Sequence, residues 1–165
     1  MISAMRSFVR VAVASALAVL AASCVSTSST VTLTTAQAAA IRSYAVGHFG
    51  DQVGVRPPRV GCAFHNFGGK RDGAAVTAYI VTMCSGEDSA TDCSQPGSAG
   101  DFSIPTAVRL RGSQVIAWQQ PGDGDEFGKG MSRLFPRALR HRMTETPPAV
   151  IDDLDRQVRT QLHCG

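Results

Sequence analysis

The sequence predicts an α+β domain: a helix near the N-terminus, four antiparallel strands, then a group of short helices. Thr34-x-x-Gln37 has the spacing of a capping box, and Ala38, Ile41, Ala45 and Phe49 then recur on one helical face. Between residues 59 and 120 the chain changes to short runs rich in Val, Ile, Tyr and Trp, punctuated by glycine turns. From 121 onward the helical period returns, interrupted by Pro136 and by Pro147-Pro148. Strand runs flanked by helices indicate a layered domain with the helices on one face of the sheet.

Each element has its own signals. Gly50 is placed to stop the first helix at its C′ position. Gly54, Pro57 and Pro58 then forbid helix and favour an extended entry to the sheet. Arg59–Phe67 reads as the first strand and Ala74–Cys84 as the second, with the turn at Gly68–Gly73. Ser85–Ser103, rich in Gly, Ser, Asp and Pro, shows no periodicity and reads as an exposed loop. Two further runs flank Arg111-Gly112-Ser113 and make the hairpin Ile104–Gln120.

Phe127, Met131, Leu134 and Phe135 share one face of a short helix that docks on that hairpin. The stretch Ile104–Pro136 is thus a compact unit that the rest of the chain must bury. Alternation assigns Val108, Leu110, Ile116 and Trp118 to two faces, so part of the outer face is expected to be covered too. Pro136 can open a helix over Arg137–Met143, and Thr146-Pro147-Pro148 opens the last one. Its apolar face is Ile151, Leu154, Val158 and Leu162. Asp152, Asp153 and Asp155 precede Arg156, Arg159 and His163, the order a helix dipole favours.

The N-terminus reads as an export signal. Arg6 and Arg10 precede the apolar run Val11–Ala22, which is too short to span a bilayer, since that takes about 20 residues. Leu20-Ala21-Ala22-Ser23-Cys24 resembles the lipobox of bacterial lipoproteins, in which the cysteine thiol receives a diacylglycerol and becomes residue one. The expected division is a signal over residues 1–23, a flexible Ser/Thr tether over 24–33, and a single domain over 34–165. Cys24 would then anchor the chain on the outer side of the cytoplasmic membrane. Plain secretion after cleavage near Ala22 is the alternative.

Composition limits the partners. The chain has 165 residues, 44% hydrophobic and 18% charged, which suits one core of ordinary size. Loss of residues 1–23 removes two arginines and leaves 14 basic against 13 acidic side chains. A domain so near neutrality lacks the basic footprint that nucleic acid demands. The expected partners are a membrane, through the anchor, and an envelope protein or ligand whose identity the sequence does not specify.

A resemblance enters at Pro121-Gly122-Asp123-Gly124-Asp125-Glu126-Phe127 and Leu134-Phe135-Pro136. These residues resemble a signature of small exported bacterial domains of unassigned function, in which a hairpin runs into a P-x-D-G-x-x-aromatic turn and a helix closed by Phe-Pro. Those domains are similar to cystatin-like or NTF2-like folds. The resemblance implies an N-terminal helix packed on a curved four-stranded antiparallel sheet, with short C-terminal helices, and implies no activity.

Several residues invite chemistry. Asp123 and Gly128 fit positions 1 and 6 of a calcium loop, but positions 5 and 12 would be Phe127 and Leu134, which offer no side-chain oxygen. A tight turn with Asp125 as N-cap explains the same residues. Cys62-x-x-His65 has a metal-like spacing, yet Cys84-x8-Cys93 does not complete a common zinc knuckle, and export favours disulfides; no metal or cofactor is expected. A nucleophilic Cys62 or Cys164 would need a free thiolate and a nearby base. No Gly-x-Ser-x-Gly elbow and no His-Glu-x-x-His helix is present.

Tyr44 and His48, late on the first helix, are candidates to point into a sheet-lined pocket. Arg133, Arg137, Arg140, His141 and Arg142 form the densest basic segment, a candidate surface for an anion or a partner.

With Cys24 lipidated, Cys62, Cys84, Cys93 and Cys164 remain, open to three pairings. A turn at Gly68–Gly73 would set Cys62 opposite a residue near Tyr79, several positions from Cys84, so Cys84–Cys93 and Cys62–Cys164 are the expected bridges. The functional expectation is a binding or interaction module at the cell envelope. The alternatives are a small NTF2-like enzyme using a sheet-lined pocket, with His48 or Tyr44 as acid or base, and a cystatin-like protease inhibitor.

Overall fold

The computed structural model describes residues 31–53, 60–86 and 102–162. It holds α1 (Thr35–Val53), β1 (Val60–Asp72), β2 (Ala75–Gly86), β3 (Phe102–Arg111) and β4 (Gln114–Gln119), then α2 (Asp125–Leu134), α3 (Arg137–Thr144) and α4 (Pro148–Gln161). The strands form one open antiparallel sheet in the order β1-β2-β3-β4. The architecture is α+β, with an N-terminal helix, a four-stranded sheet and short C-terminal helices.

The capping box forms as its spacing requires: Gln37 N–H donates to Thr34 Oγ1 at 3.2 Å, and Thr34 N–H donates to Gln37 Oε1 at 3.0 Å. Helix α1 runs past Gly50 to Val53. A glycine within a helix costs about 1 kcal/mol relative to alanine, and the burial of Ile41, Ala45 and Phe49 outweighs it. At α2, Gly124 rather than Asp125 is the N-cap, with φ of 54°, and Asp125 and Glu126 occupy the first turn. Their charges favour the positive end of the helix without a side-chain cap bond.

Both faces of the sheet are covered. On one, α1 packs Ile41, Ala45 and Phe49 over Cys62, Ala78, Ile80, Cys84, Val108 and Leu110. On the other, Met131, Phe135, Leu139, Met143, Leu154 and Val158 cover Ala63, Phe67, Tyr79, Val81, Met83 and Ala107. Side-chain alternation is the cause, because every buried strand offers an apolar residue to each side. Val108, Leu110 and Trp118 accordingly face α1, away from α2 and α3, while Ile116 is 40% exposed. Phe127, expected in the core, is 36% exposed.

The disulfide expectation is corrected. Cys62 and Cys84 are bonded to each other, with a Cα–Cα distance of 4.2 Å. The reversal lies at Gly73-Ala74, where Gly73 has φ of 57°, so Lys70, Arg71 and Asp72 continue β1 instead of turning. A later turn slides the partners along, and a bulge between Asn66 and Gly68 returns one position, so Cys62 falls opposite Cys84. Asn66 holds the bulge: its Oδ1 accepts from Gly68 N–H at 3.1 Å, and its Nδ2 donates to the Val31 carbonyl at 2.9 Å. Neither Cys84–Cys93 nor Cys62–Cys164 is therefore formed; Cys93 and Cys164 themselves lie outside the described residues, as do Cys24 and the signal. Val31, at the end of the expected tether, is buried against the domain.

Candidate functional site

Strand β4 is shorter than β3. Its pairing begins at Ala107–Gln119, so among the described residues the first half of β3 has no strand neighbour on that side. Pro105, which has no N–H to give a ladder, lies in this uncovered half. The result is a notch in the sheet, through which the two helical layers come into reach of one another.

A half-open cavity of about 550 Å³ occupies the notch. Helix α1 supplies Ala45, His48, Phe49 and Gln52; the sheet supplies Thr82, Cys84, Ser103, Ile104, Pro105 and Trp118. Gln120, Pro121, Asp123 and Phe127 close the side beyond β4, and Met143, Thr144, Thr146 and Ile151 come from the C-terminal layer. The volume is in the range of sites for drug-sized molecules.

Polar side chains make up nearly half of the wall, among them His48, Gln52, Ser103, Gln120 and Asp123. Trp118 packs against both apolar clusters of the α1 face, and its Nε1 is buried without a hydrogen-bond partner. Thr82 is 4% exposed, and its Oγ1 is likewise buried and unpaired. Both atoms are closed off from solvent, and an unsatisfied buried group of this kind costs about 1–3 kcal/mol. His48 Nε2 lies 3.3 Å from Gln52 Nε2; the amide can only donate, so the bond forms when the ring proton sits on Nδ1. Cys84 brings the disulfide, not a free thiol, to the wall.

Of the residues singled out in the sequence, His48 lines the cavity and Tyr44 stands beside it. The two rings stack at 5.8 Å, and both approach the Trp118 indole, at 5.2 Å from Tyr44 and 5.9 Å from His48. Tyr44 is 40% exposed, so the cluster reaches the surface. Cys62 and His65 do not share a face: Cys62 packs under α1, whereas the His65 ring meets Phe67 at 4.8 Å on the opposite side. Among the described residues no group of three or more His, Cys, Asp or Glu is placed to hold a metal ion.

The arginine segment lies apart from the cavity and is divided among several duties. Arg140 is structural: its Nε donates to the Phe135 carbonyl at 2.9 Å and its guanidinium reaches the Ser132 carbonyl at 2.7 Å, tying the end of α2 to α3. Arg142 lies 5.6 Å over the Phe67 ring. His141 faces Glu145 at 3.1 Å, and Arg133 and Arg137 are exposed.

Wall residues such as Gln52, Thr82 and Thr144 carry no signal in the sequence. Phe49 and Trp118 do carry one, on the helical period and on the strand, and both read as core rather than as cavity wall. Two ionisable groups away from the cavity are perturbed. Burial pushes the Tyr79 hydroxyl above its ordinary pKa, and hydrogen bonds from Arg156 and then Gln157 hold the Asp153 carboxyl below its own. Compared with protein-family models, with curated proteins and with solved structures, the chain finds no match in any of the three.

Proposed function

We propose that this chain is an exported binding module, held at the cell envelope by a lipid on Cys24, which takes a small ligand in the notch between α1 and the sheet. The observation that carries the binding role is the cavity itself. An open space of about 550 Å³, walled by polar and apolar side chains in similar measure, is left where the edge strand β4 stops short of β3. The anchor rests on the Leu20–Cys24 motif and the apolar run before it. Among the described residues no helix is long and apolar enough to cross a membrane.

The test of binding is native mass spectrometry of the mature chain after incubation with an organic extract of the cell envelope. A retained small molecule is expected, and it should be lost from Ser103→Phe, which fills the cavity from an exposed position on its wall. Equal retention by the variant would overturn the assignment of the site. The anchor has its own test: Cys24→Ala should move the chain from the membrane fraction to the culture fluid.

A further inference from the structure

We infer that the end of the sheet carrying the β1–β2 and β3–β4 turns lies against the membrane, where its exposed basic side chains meet anionic lipid headgroups. This rests on the lipid-anchor reading above and gives the anchored domain an orientation.

The first argument is where the chain enters. In the antiparallel order, β1 and β3 finish, and β2 and β4 begin, at one end of the sheet. The Val31 carbonyl accepts from Asn66 Nδ2 at 2.9 Å, and a Cβ on Gly69 would lie 3.2 Å from Val31 Cβ, close to where β1 finishes. Leu33 packs against the cluster of Ile41, Ala78, Val108 and Leu110. Gln37, in the first turn of α1, donates through Nε2 to the Gly112 carbonyl at 3.1 Å. Residues 31–37 therefore cross that end of the sheet, from β1 to the β3–β4 turn.

The second argument is reach. Seven residues separate Cys24 from Val31, and fully extended they span at most about 25 Å. Val60, at the other end of β1, lies nine residues before Gly69, a strand length of about 30 Å. With the Val60 end turned to the bilayer, Val31 would stand too far above it for a lipid on Cys24 to insert. The cavity lies toward that far end, where Gln52, Cys84 and Ser103 line it.

The third argument is charge. Lys70, Arg71, Arg109 and Arg111 are exposed beside the two turns; Asp72 is the one carboxylate among them, and it pairs with Arg109 at 3.3 Å. Residues 24–30, which lead to this end, carry no charge. The stretches 54–59, 87–101 and 163–165 are joined to the helices and strands at the opposite end. Each basic residue at an anionic surface strengthens binding by about fivefold. Three net charges give about a hundredfold, less than one acyl chain, which by itself holds a protein only marginally. The basic end thus orients the domain and leaves retention to the lipid.

The experiment is cosedimentation of the mature chain carrying Cys24→Ala with vesicles of phosphatidylcholine, alone or with one-third phosphatidylglycerol, in about 0.1 M salt, where charges act over about 10 Å. This variant has no lipid, so the vesicles report on the basic end alone, and its release from cells remains the separate test of the anchor. Binding is expected to the anionic vesicles and not to the neutral ones. Lys70→Gln with Arg71→Gln should weaken it by about twenty-five-fold. Arg156→Gln with Arg159→Gln removes the same charge from α4 and should leave it unchanged. On the anionic vesicles the lipidated chain should show slower amide exchange at Gly73, Ala74, Gly112 and Ser113 than the lipid-free chain, with exchange at Ser103 unaltered.

Anionic vesicles that bind no better than neutral ones, or equal losses from the two double variants, would overturn the basic end as the membrane contact. Slower exchange at Ser103 in place of the turns would overturn the orientation.

Discussion

The side-chain amide of Gln161 donates to the Cys62 carbonyl at 3.0 Å and accepts from Cys62 N–H at 3.1 Å, the pair of bonds an adjacent strand would exchange. Cys62 has no exposed surface, so without Gln161 both backbone groups would be left buried and unpaired. Gln161→Leu should therefore cost about 1–3 kcal/mol in a urea titration, and hydrogen exchange at Cys62 N–H should accelerate. Tyr79 makes a second residue-scale prediction. Its ring meets Phe135 edge-on at 5.8 Å, and burial raises the pKa of its hydroxyl above the ordinary value of about 10. Below that value the hydroxyl is neutral in both folded and unfolded chains, and its contribution is complete. Above it the unfolded chain ionises first, so stability falls as pH rises through the folded pKa. Tyr79→Phe should resist alkaline unfolding better than the parent chain; identical melting curves above pH 10 would contradict this.

At the scale of elements, β2 rather than the β3–β4 hairpin is the centre of the molecule, because it is buried along nearly its whole length while β4 is an edge. The order and type of elements were legible in the sequence, since capping, prolines and periodicity act within a few residues. The register of β1 on β2 was not. Lys70-Arg71-Asp72 looks like turn chemistry, yet the strand continues through it and Asp72 pairs with Ala75. The bulge depends on Asn66 meeting Val31, a contact between residues far apart in the chain. The cavity was illegible for the same reason: only the pairing of β3 with β4 reveals where β4 ends. Peptide mapping without reduction should recover Cys62 linked to Cys84, and a Cys62–Cys164 peptide would refute this register. Replacing both cysteines by alanine should cost about 3 kcal/mol under the chain-entropy account. Phe135 is 2% exposed at the junction of α2 and α3, so Phe135→Ala should cost about 3–5 kcal/mol by chemical denaturation.

Across the whole molecule, three layers leave the sheet with two edges that are managed differently. The β4 side keeps the notch and its cavity, whereas the β1 side is sealed by α4. The seal requires close approach at Gly61: a Cβ there would lie 3.0 Å from the Val158 carbonyl oxygen, 3.1 Å from Leu162 Cγ and 3.3 Å from Val158 Cγ1. Alanine would press α4 outward by a few tenths of an ångström, and the branched side chain of valine would press it further. Gly61→Val should therefore lift Gln161 from Cys62 and expose the backbone of β1 as an unpaired edge, the surface through which sheets associate. The expected result is concentration-dependent self-association in sedimentation velocity, together with faster exchange at Cys62 N–H. Gly61→Ala should show a smaller change of both kinds, because its single methyl group meets atoms that can give slightly. Gly61→Val that stays monomeric with Cys62 N–H as protected as in the parent chain would mean that the edge does not depend on α4. Self-association with that amide still protected would place the new contact elsewhere on the surface.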